Sequence, residues 1–215
     1  MLTWIITGGV ACGKSLCVRS LCRLLGSRAA HFDSDQCAAE LLDLPESLSR
    51  LESHFGSSVL MPKPGVAGQF VVDRAWLRGE VFRDSANRRW LEGWMHPAIL
   101  AALEKQRREE AGRGCEVFLA EVPLYYEIGA CVPADLVVVV ASSPSTQLRR
   151  LMEQRGLEEF TAKGVLQSQL PIADKVAHAS VVFWNDGSTQ ALEAQISTLT
   201  SPFLDRGRSK QSSEL

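Results

Sequence analysis

Eight residues, Gly8-Gly9-Val10-Ala11-Cys12-Gly13-Lys14-Ser15, fit the spacing G-x-x-x-x-G-K-[ST], and no other stretch constrains this chain as much. Residues 2–7 (LTWIIT) are a short apolar run rich in β-branched and aromatic types, which predicts a buried strand. After Gly13 a helical pattern begins, with Leu16, Ser20 and Leu24 on one face and Val18, Leu21 and Leu25 beside it, and Gly26 stops it. Strand, glycine-rich turn and helix are the context such a turn requires. Its backbone N–H groups converge on an anion, and the helix N-terminus adds a favourable dipole. The turn therefore predicts nucleotide binding by Gly8, Gly9, Val10, Ala11, Cys12 and Gly13, with Lys14 reaching the β- and γ-phosphates and the Ser15 hydroxyl ligating Mg²⁺.

The rest of the chain alternates in the same way at both ends. Apolar runs at 116–122 and 136–141, the second with four consecutive valines, predict parallel strands covered on both faces. Further strands are expected to end at Asp33 and to span 181–184, and helices to span 144–154, 158–169 and 188–199. This pattern predicts an α/β fold, a doubly wound parallel sheet around a P-loop. The middle differs. Residues 34–55 read as helix broken at Pro45, 56–72 as loop or short hairpin, and 73–82 and 85–110 as helix. The expected organisation is a nucleotide-binding core of 1–35 and 113–200, a helical insert at 36–112, and a disordered tail over 201–215.

Composition excludes several classes. Lys plus Arg number 23 against 25 Asp plus Glu, a net charge of -2, so no bulk positive charge exists to hold a nucleic acid. No apolar run approaches membrane-spanning length, and residues 1–6 lack the features of a signal peptide. Cys12, Cys17, Cys22, Cys37, Cys115 and Cys131 contain no C-x-x-C pair and no small-domain disulfide framework, which points to a cytoplasmic location.

Phosphoryl transfer to an alcohol needs an acceptor beside the incoming hydroxyl. Asp33 and Asp35 lie where a second strand ends, so a carboxylate there would emerge at the carboxyl edge of the sheet, near the turn. Ser34 or Asp35 also suits a helix cap, leaving Asp33 to act as base. Glu121, two before Pro123, is placed to act on Mg²⁺ through water, or is a strand-end carboxylate without a role. Arg74, Arg78, Arg83, Arg88 and Arg89 are candidate contacts for an acidic substrate. Trp90 and Trp94 share a helical face and read as core rather than a stacking platform; His96 before Pro97 either meets ligand or marks a kink.

These residues resemble one family over 7–187, the dephospho-CoA kinases. Thr7-Gly8-Gly9 with Gly13-Lys14-Ser15 is similar to its T-G-G-I-G-S-G-K-S, and Asp33-Ser34-Asp35 to its D-A-D. Val72-Asp73-Arg74 with Leu77 and Phe82, Leu91 to His96-Pro97, Val122-Pro123-Leu124 with Glu127, and Gln147 with Arg150 follow its later segments in order. So do Gln169, Pro171, Lys175 and Asn185-Asp186-Gly187. The resemblance implies transfer of the ATP γ-phosphoryl to the ribose 3′-hydroxyl of dephospho-CoA, with ATP, Mg²⁺ and dephospho-CoA as the small-molecule partners. It also implies a substrate-binding role for the helical insert and a lid at about 144–170. By the same resemblance Asp33 is the base, Lys14 is catalytic, and Arg150 and Arg155 are the lid arginines. Asn185 belongs to the nucleotide site, and Arg74, His96 and Pro123 to the acceptor site. Ala11 and Cys12 stand where the family has Gly and Ser, and Gln154 where its lid arginine falls, one residue before Arg155. Ala11 suits its place only if that backbone needs no positive φ, and Cys12, beside a helix N-terminus, is expected to be alkylated faster than Cys115 and to be protected by ATP. Two other readings share the turn: a different small-molecule P-loop kinase, and an ATP-binding protein with impaired kinase activity.

Overall fold

Strand β1 (Leu2–Gly8) is buried at every position from Thr3 onward, because apolar side chains occupy both of its faces and each face is covered. The computed structural model describes residues 1–129 and 132–211, with 204–211 as backbone alone. Cys131 lies outside the described residues. From residue 14 the chain forms α1 (Lys14–Leu25), β2 (Ala29–Asp33), α2 (Ser34–Leu42), α3 (Pro45–Phe55), β3 (Leu60–Pro62), β4 (Phe70–Val72), α4 (Arg74–Arg83) and α5 (Ser85–Gly112). It continues with β5 (Val117–Glu121), β6 (Leu136–Ala141), α6 (Pro144–Arg155), α7 (Glu159–Gln167), α8 (Ile172–Ala177), β7 (Val181–Trp184) and α9 (Thr189–Gln211).

Five strands form one parallel sheet in the order β2-β5-β1-β6-β7. Trp4, Ile6, Leu119, Val138, Val140 and Phe183 meet Cys17, Val18, Leu21 and Leu25 of α1 and Leu192 and Ile196 of α9. The alternate residues Ile5, Phe118, Ala120 and Val139 are buried as well, as a parallel sheet flanked by helices requires. The α/β expectation holds. Residues Met1–Asp33 and those from Gln106 onward make one compact unit, and Ser34–Lys105 make another. In the second, Leu51, Val59, Val72 and Leu77 form the core, with Trp76, Trp90 and Trp94 packed against it. The segment read as loop or hairpin is the antiparallel pair β3–β4.

Two elements differ from expectation. Helix α8 was not foreseen, since six residues after a proline are too few to display a period. Helix α9 runs to Gln211 through residues expected to be disordered; 212–215 lie outside the described residues. Pro202 has no N–H for the Thr198 carbonyl, but the Ser201 hydroxyl donates to that oxygen at 3.0 Å. Phe203 then stands edge-on to Trp4 at 5.3 Å, and Arg28 Nη1 donates to the Phe203 carbonyl. Tertiary contact extends the helix past the point where sequence period ends.

Candidate active site

The turn after β1 leaves room for nothing larger than glycine at its ends. Gly8 has φ 145°, and a Cβ there would stand 2.1 Å from the Val140 carbonyl oxygen. Gly13 has φ 89° and caps α1; a Cβ on it would stand 2.3 Å from Asn185 Nδ2. Between them Ala11 adopts φ 57°. The condition set for that alanine is therefore not met: its backbone does take the left-handed form, which L-residues avoid by about 1–2 kcal/mol.

Side chains from distant segments hold this strained turn. Gln147, buried on α6, donates from Nε2 to the Val10 carbonyl at 2.8 Å, and the Val10 N–H donates to Gln169 Oε1 at 2.9 Å. Arg150 Nη1 donates to the Ala11 carbonyl at 3.1 Å and Nη2 to the Asn185 carbonyl at 2.7 Å. Asn185, itself buried, donates from Nδ2 to the Cys12 carbonyl at 2.8 Å. The carbonyls of residues 10–12 are thus turned toward protein donors. The N–H groups of Leu16 and Cys17 donate to the Gly13 carbonyl, both at 3.1 Å, and the positive end of the α1 dipole faces the turn, where an anion would be favoured. Lys14 Nζ lies on the Gly9 carbonyl at 2.9 Å and on that of Gly8 at 3.3 Å, and Ser15 is exposed on the same turn.

Burial, rather than the helix N-terminus, governs the Cys12 thiol. Its side chain is fully buried, and burial raises the thiol pKa against the lowering influence of Lys14 and of hydrogen bonds from Ser142. Desolvation outweighs the helix N-terminus, so Cys12 is shielded while Cys115 is only partly buried.

Asp33 ends β2 directly in register with Glu121 on β5, which is in register with Ile6 on β1. Two strand spacings of about 4.8 Å put Asp33 about 10 Å across the sheet from β1, at the edge where the turn begins. Glu121 is buried, and His31 Nε2 approaches its Oε2 at 3.6 Å. Burial first, and the charge of Glu121 second, push the Cys17 thiol of α1 up to about 12. Asp35 falls inside the first turn of α2 rather than capping it. No group of three or more His, Cys, Asp or Glu residues able to hold a metal occurs among the described residues. One hydroxyl and two strand-end carboxylates are nevertheless hard oxygen donors, suited to Mg²⁺, which keeps water and phosphate oxygens as most of its ligands.

The sheet unit thus brings together Gly8 to Ser15, Arg150, Asn185, Asp33 and Pro123, whose carbonyl accepts from Thr7 Oγ1 at 3.1 Å. Arg155 is not brought to the turn: it ends α6 exposed, before Gly156 with φ 65°. In the other unit, Arg74 opens α4 and pairs with Asp43 Oδ2 at 2.9 Å, and half-buried His96 precedes an exposed Pro97 that α5 accommodates without breaking. Gln147 and Gln169 were not foreseen as supports of the turn. The available signal was a glutamine at a buried helical position.

A strand that runs into such a turn at the middle of a parallel sheet, with a carboxylate two strands away at the same edge, defines a P-loop phosphotransferase. Known proteins narrow that class. The family model described as dephospho-CoA kinase matches residues 3–191. A dephospho-CoA kinase of Syntrophotalea carbinolica is 33% identical over 201 residues, 93% of this chain and 90% of that protein. One of Geobacter sulfurreducens is 35% identical over 192 residues, 89% of this chain and 93% of its own. The solved dephospho-CoA kinase of Campylobacter jejuni superposes with a TM-score of 0.67 at 26% identity, covering 94% of this chain and 96% of that one. The chain belongs to the dephospho-CoA kinase family and is an ATP-dependent kinase.

Proposed function

We propose that the turn Gly8–Ser15 holds the phosphates of ATP and that Asp33 accepts the proton of the ribose 3′-hydroxyl of dephospho-CoA. The hydroxyl oxygen attacks the γ-phosphorus, its proton passes to the Asp33 carboxylate, and the bond from the γ-phosphorus to the bridging oxygen breaks to release ADP. Lys14 exchanges its loop carbonyls for phosphate oxygens, placing positive charge where negative charge develops. Ser15, with Asp33 and Glu121 through water, would hold Mg²⁺, which when bound neutralises phosphate charge. Arg150 and Asn185 position the turn by their bonds to the Ala11 and Cys12 carbonyls, and Arg155, exposed beside a left-handed glycine, closes over the transferring group. Arg74, His96 and Pro123 contact the acceptor. Unpaired thiols at Cys12, Cys17, Cys22 and Cys115 among the described residues support a cytoplasmic enzyme, and the reading is of one that works on small molecules.

The observation that carries this reading is the register of Asp33, Glu121 and Ile6 across three strands, which supports a base at the same level of the sheet as the phosphate turn. Asp33→Asn tests it. Turnover is expected to fall by roughly 10²- to 10⁴-fold with ATP affinity unchanged, and near-normal turnover would place the base elsewhere.

A further inference from the structure

Beneath the turn lies a charged side chain that the reaction as described does not use. Lys175 of α8 is completely buried. Its ammonium has three N–H bonds and three acceptors: Glu127 Oε1 at 2.6 Å, the Pro123 carbonyl at 3.4 Å and the Gly8 carbonyl at 3.5 Å. Glu127 Oε1 also accepts the backbone N–H of Leu170 at 3.1 Å, where the 144–170 segment returns to the sheet unit. Apolar residues of similar volume would fill such a space at lower desolvation cost than an ion pair does. What the lysine adds is a donor at three backbone or carboxylate oxygens.

The Gly8 carbonyl is shared, for Lys14 Nζ lies 3.3 Å from the same oxygen. Lys14 must leave it to reach a phosphate. A buried carbonyl deprived of its donor opposes that movement, because the group has no water to turn to. A second ammonium 3.5 Å from the same oxygen removes the opposition there, while the Gly9 carbonyl, which Lys14 also leaves, keeps the Cys12 N–H at 3.4 Å.

We propose that Lys175 is a positioning residue for ATP: it keeps the Gly8 carbonyl satisfied when Lys14 swings to the phosphates, and through Glu127 it ties that anchor to Leu170 at the foot of the lid segment. This rests on reading Gly8–Ser15 as the ATP loop. Loss of Lys175 holds Lys14 in its resting place on the loop, so the defect falls on ATP and not on dephospho-CoA.

Steady-state kinetics of the full chain decide it, with ATP and dephospho-CoA varied separately. The double variant Lys175→Met/Glu127→Gln replaces both charges by neutral side chains of similar size and leaves no lone buried ion. It is expected to raise KM for ATP about tenfold and leave KM for dephospho-CoA within about twofold, with the nucleotide-free melting temperature close to wild type. Glu127→Asp keeps both charges but shortens the arm that reaches Leu170, and is expected to raise KM for ATP about threefold. Folded variants with KM for ATP unchanged, or with both KM values raised together, overturn the proposal; if the double variant does not fold, Glu127→Asp decides by the same criterion. A wild-type chain that neither binds ATP nor transfers phosphate overturns the loop reading itself, and the inference with it, whereas failure of the anchor alone leaves the wild type active.

Discussion

The phosphate turn and helix α7 are held by different kinds of force. Residues 8–13 are gripped by directional bonds from Gln147, Arg150, Gln169 and Asn185, two of them buried, so a shift of a few tenths of an ångström breaks several at once. Helix α7 rests on a small apolar cluster in which its Ala162 joins Val10 and Leu151, and it tolerates sliding because apolar contact is non-directional. The charged pair on α7, Lys163–Glu159, lies within the helix and is exposed, so water and salt screen it, and Phe160 is 90% exposed. A cradle that must be formed before ATP arrives is built from buried hydrogen bonds. The proposed lid includes α7, and contacts of this kind cost little to rearrange when a cover closes and reopens.

Two truncations separate the buried bonds of the turn from an exposed side chain. Asn185→Ala leaves the Cys12 carbonyl unpaired inside the protein and is expected to lower stability by about 1–3 kcal/mol, read from denaturant midpoints, and to weaken ATP binding. Arg155→Ala removes an exposed cation and is expected to leave the midpoint unchanged while lowering kcat by about tenfold or more. Equal midpoints for the two variants would erase the distinction. A smaller effect is expected at Ala11. Ala11→Gly relieves the positive φ but enlarges the freedom of the unfolded chain and removes a methyl that packs beside Val10 and Leu151. The net is about 0.5 kcal/mol of added stability, and a loss above about 1 kcal/mol would mean that packing rules this position.

The smallest effect concerns the foot of α6. Burial alone would raise the Asp186 carboxyl, but donation from Thr146 and from the N–H and hydroxyl of Ser143, with the charge of Arg150, holds it below its ordinary value of 3.8. Both oxygens accept the Ser143 N–H, at 2.9 and 3.1 Å. A depressed carboxyl contributes stability that is whole above its ordinary value and is lost as pH falls below it. Because the group is largely exposed, solvent screening keeps the contribution slight. The wild type is therefore expected to lose a little more stability than Asp186→Asn as pH is lowered through and below 3.8, and parallel melting curves would show that the carboxyl contributes nothing.

Most of the sheet was legible because its strands are apolar at both parities and its first helix keeps an unbroken period. Helix α8 and the extension of α9 were not, since one is six residues long and the other depends on Phe203 meeting Trp4. The turn was legible for a reason that does not extend to its supports. Its glycines and lysine are local requirements of phosphate binding, written within eight residues, whereas Gln147, Gln169 and Asn185 reach it from 137, 159 and 173 positions away. Only the strand order brings them there. Cys12 shows the opposite case: the helix N-terminus argues locally for a lowered thiol pKa, and burial outweighs it.

A dephospho-CoA kinase moves the γ-phosphoryl of ATP to one acceptor. Coupled measurement of ADP release in the presence of Mg²⁺, with dephospho-CoA, adenosine or gluconate as acceptor, tests this most directly. ADP release that requires dephospho-CoA and is absent with the other two is the predicted result. Release with another acceptor in its place, or none with any acceptor despite ATP binding, would contradict it.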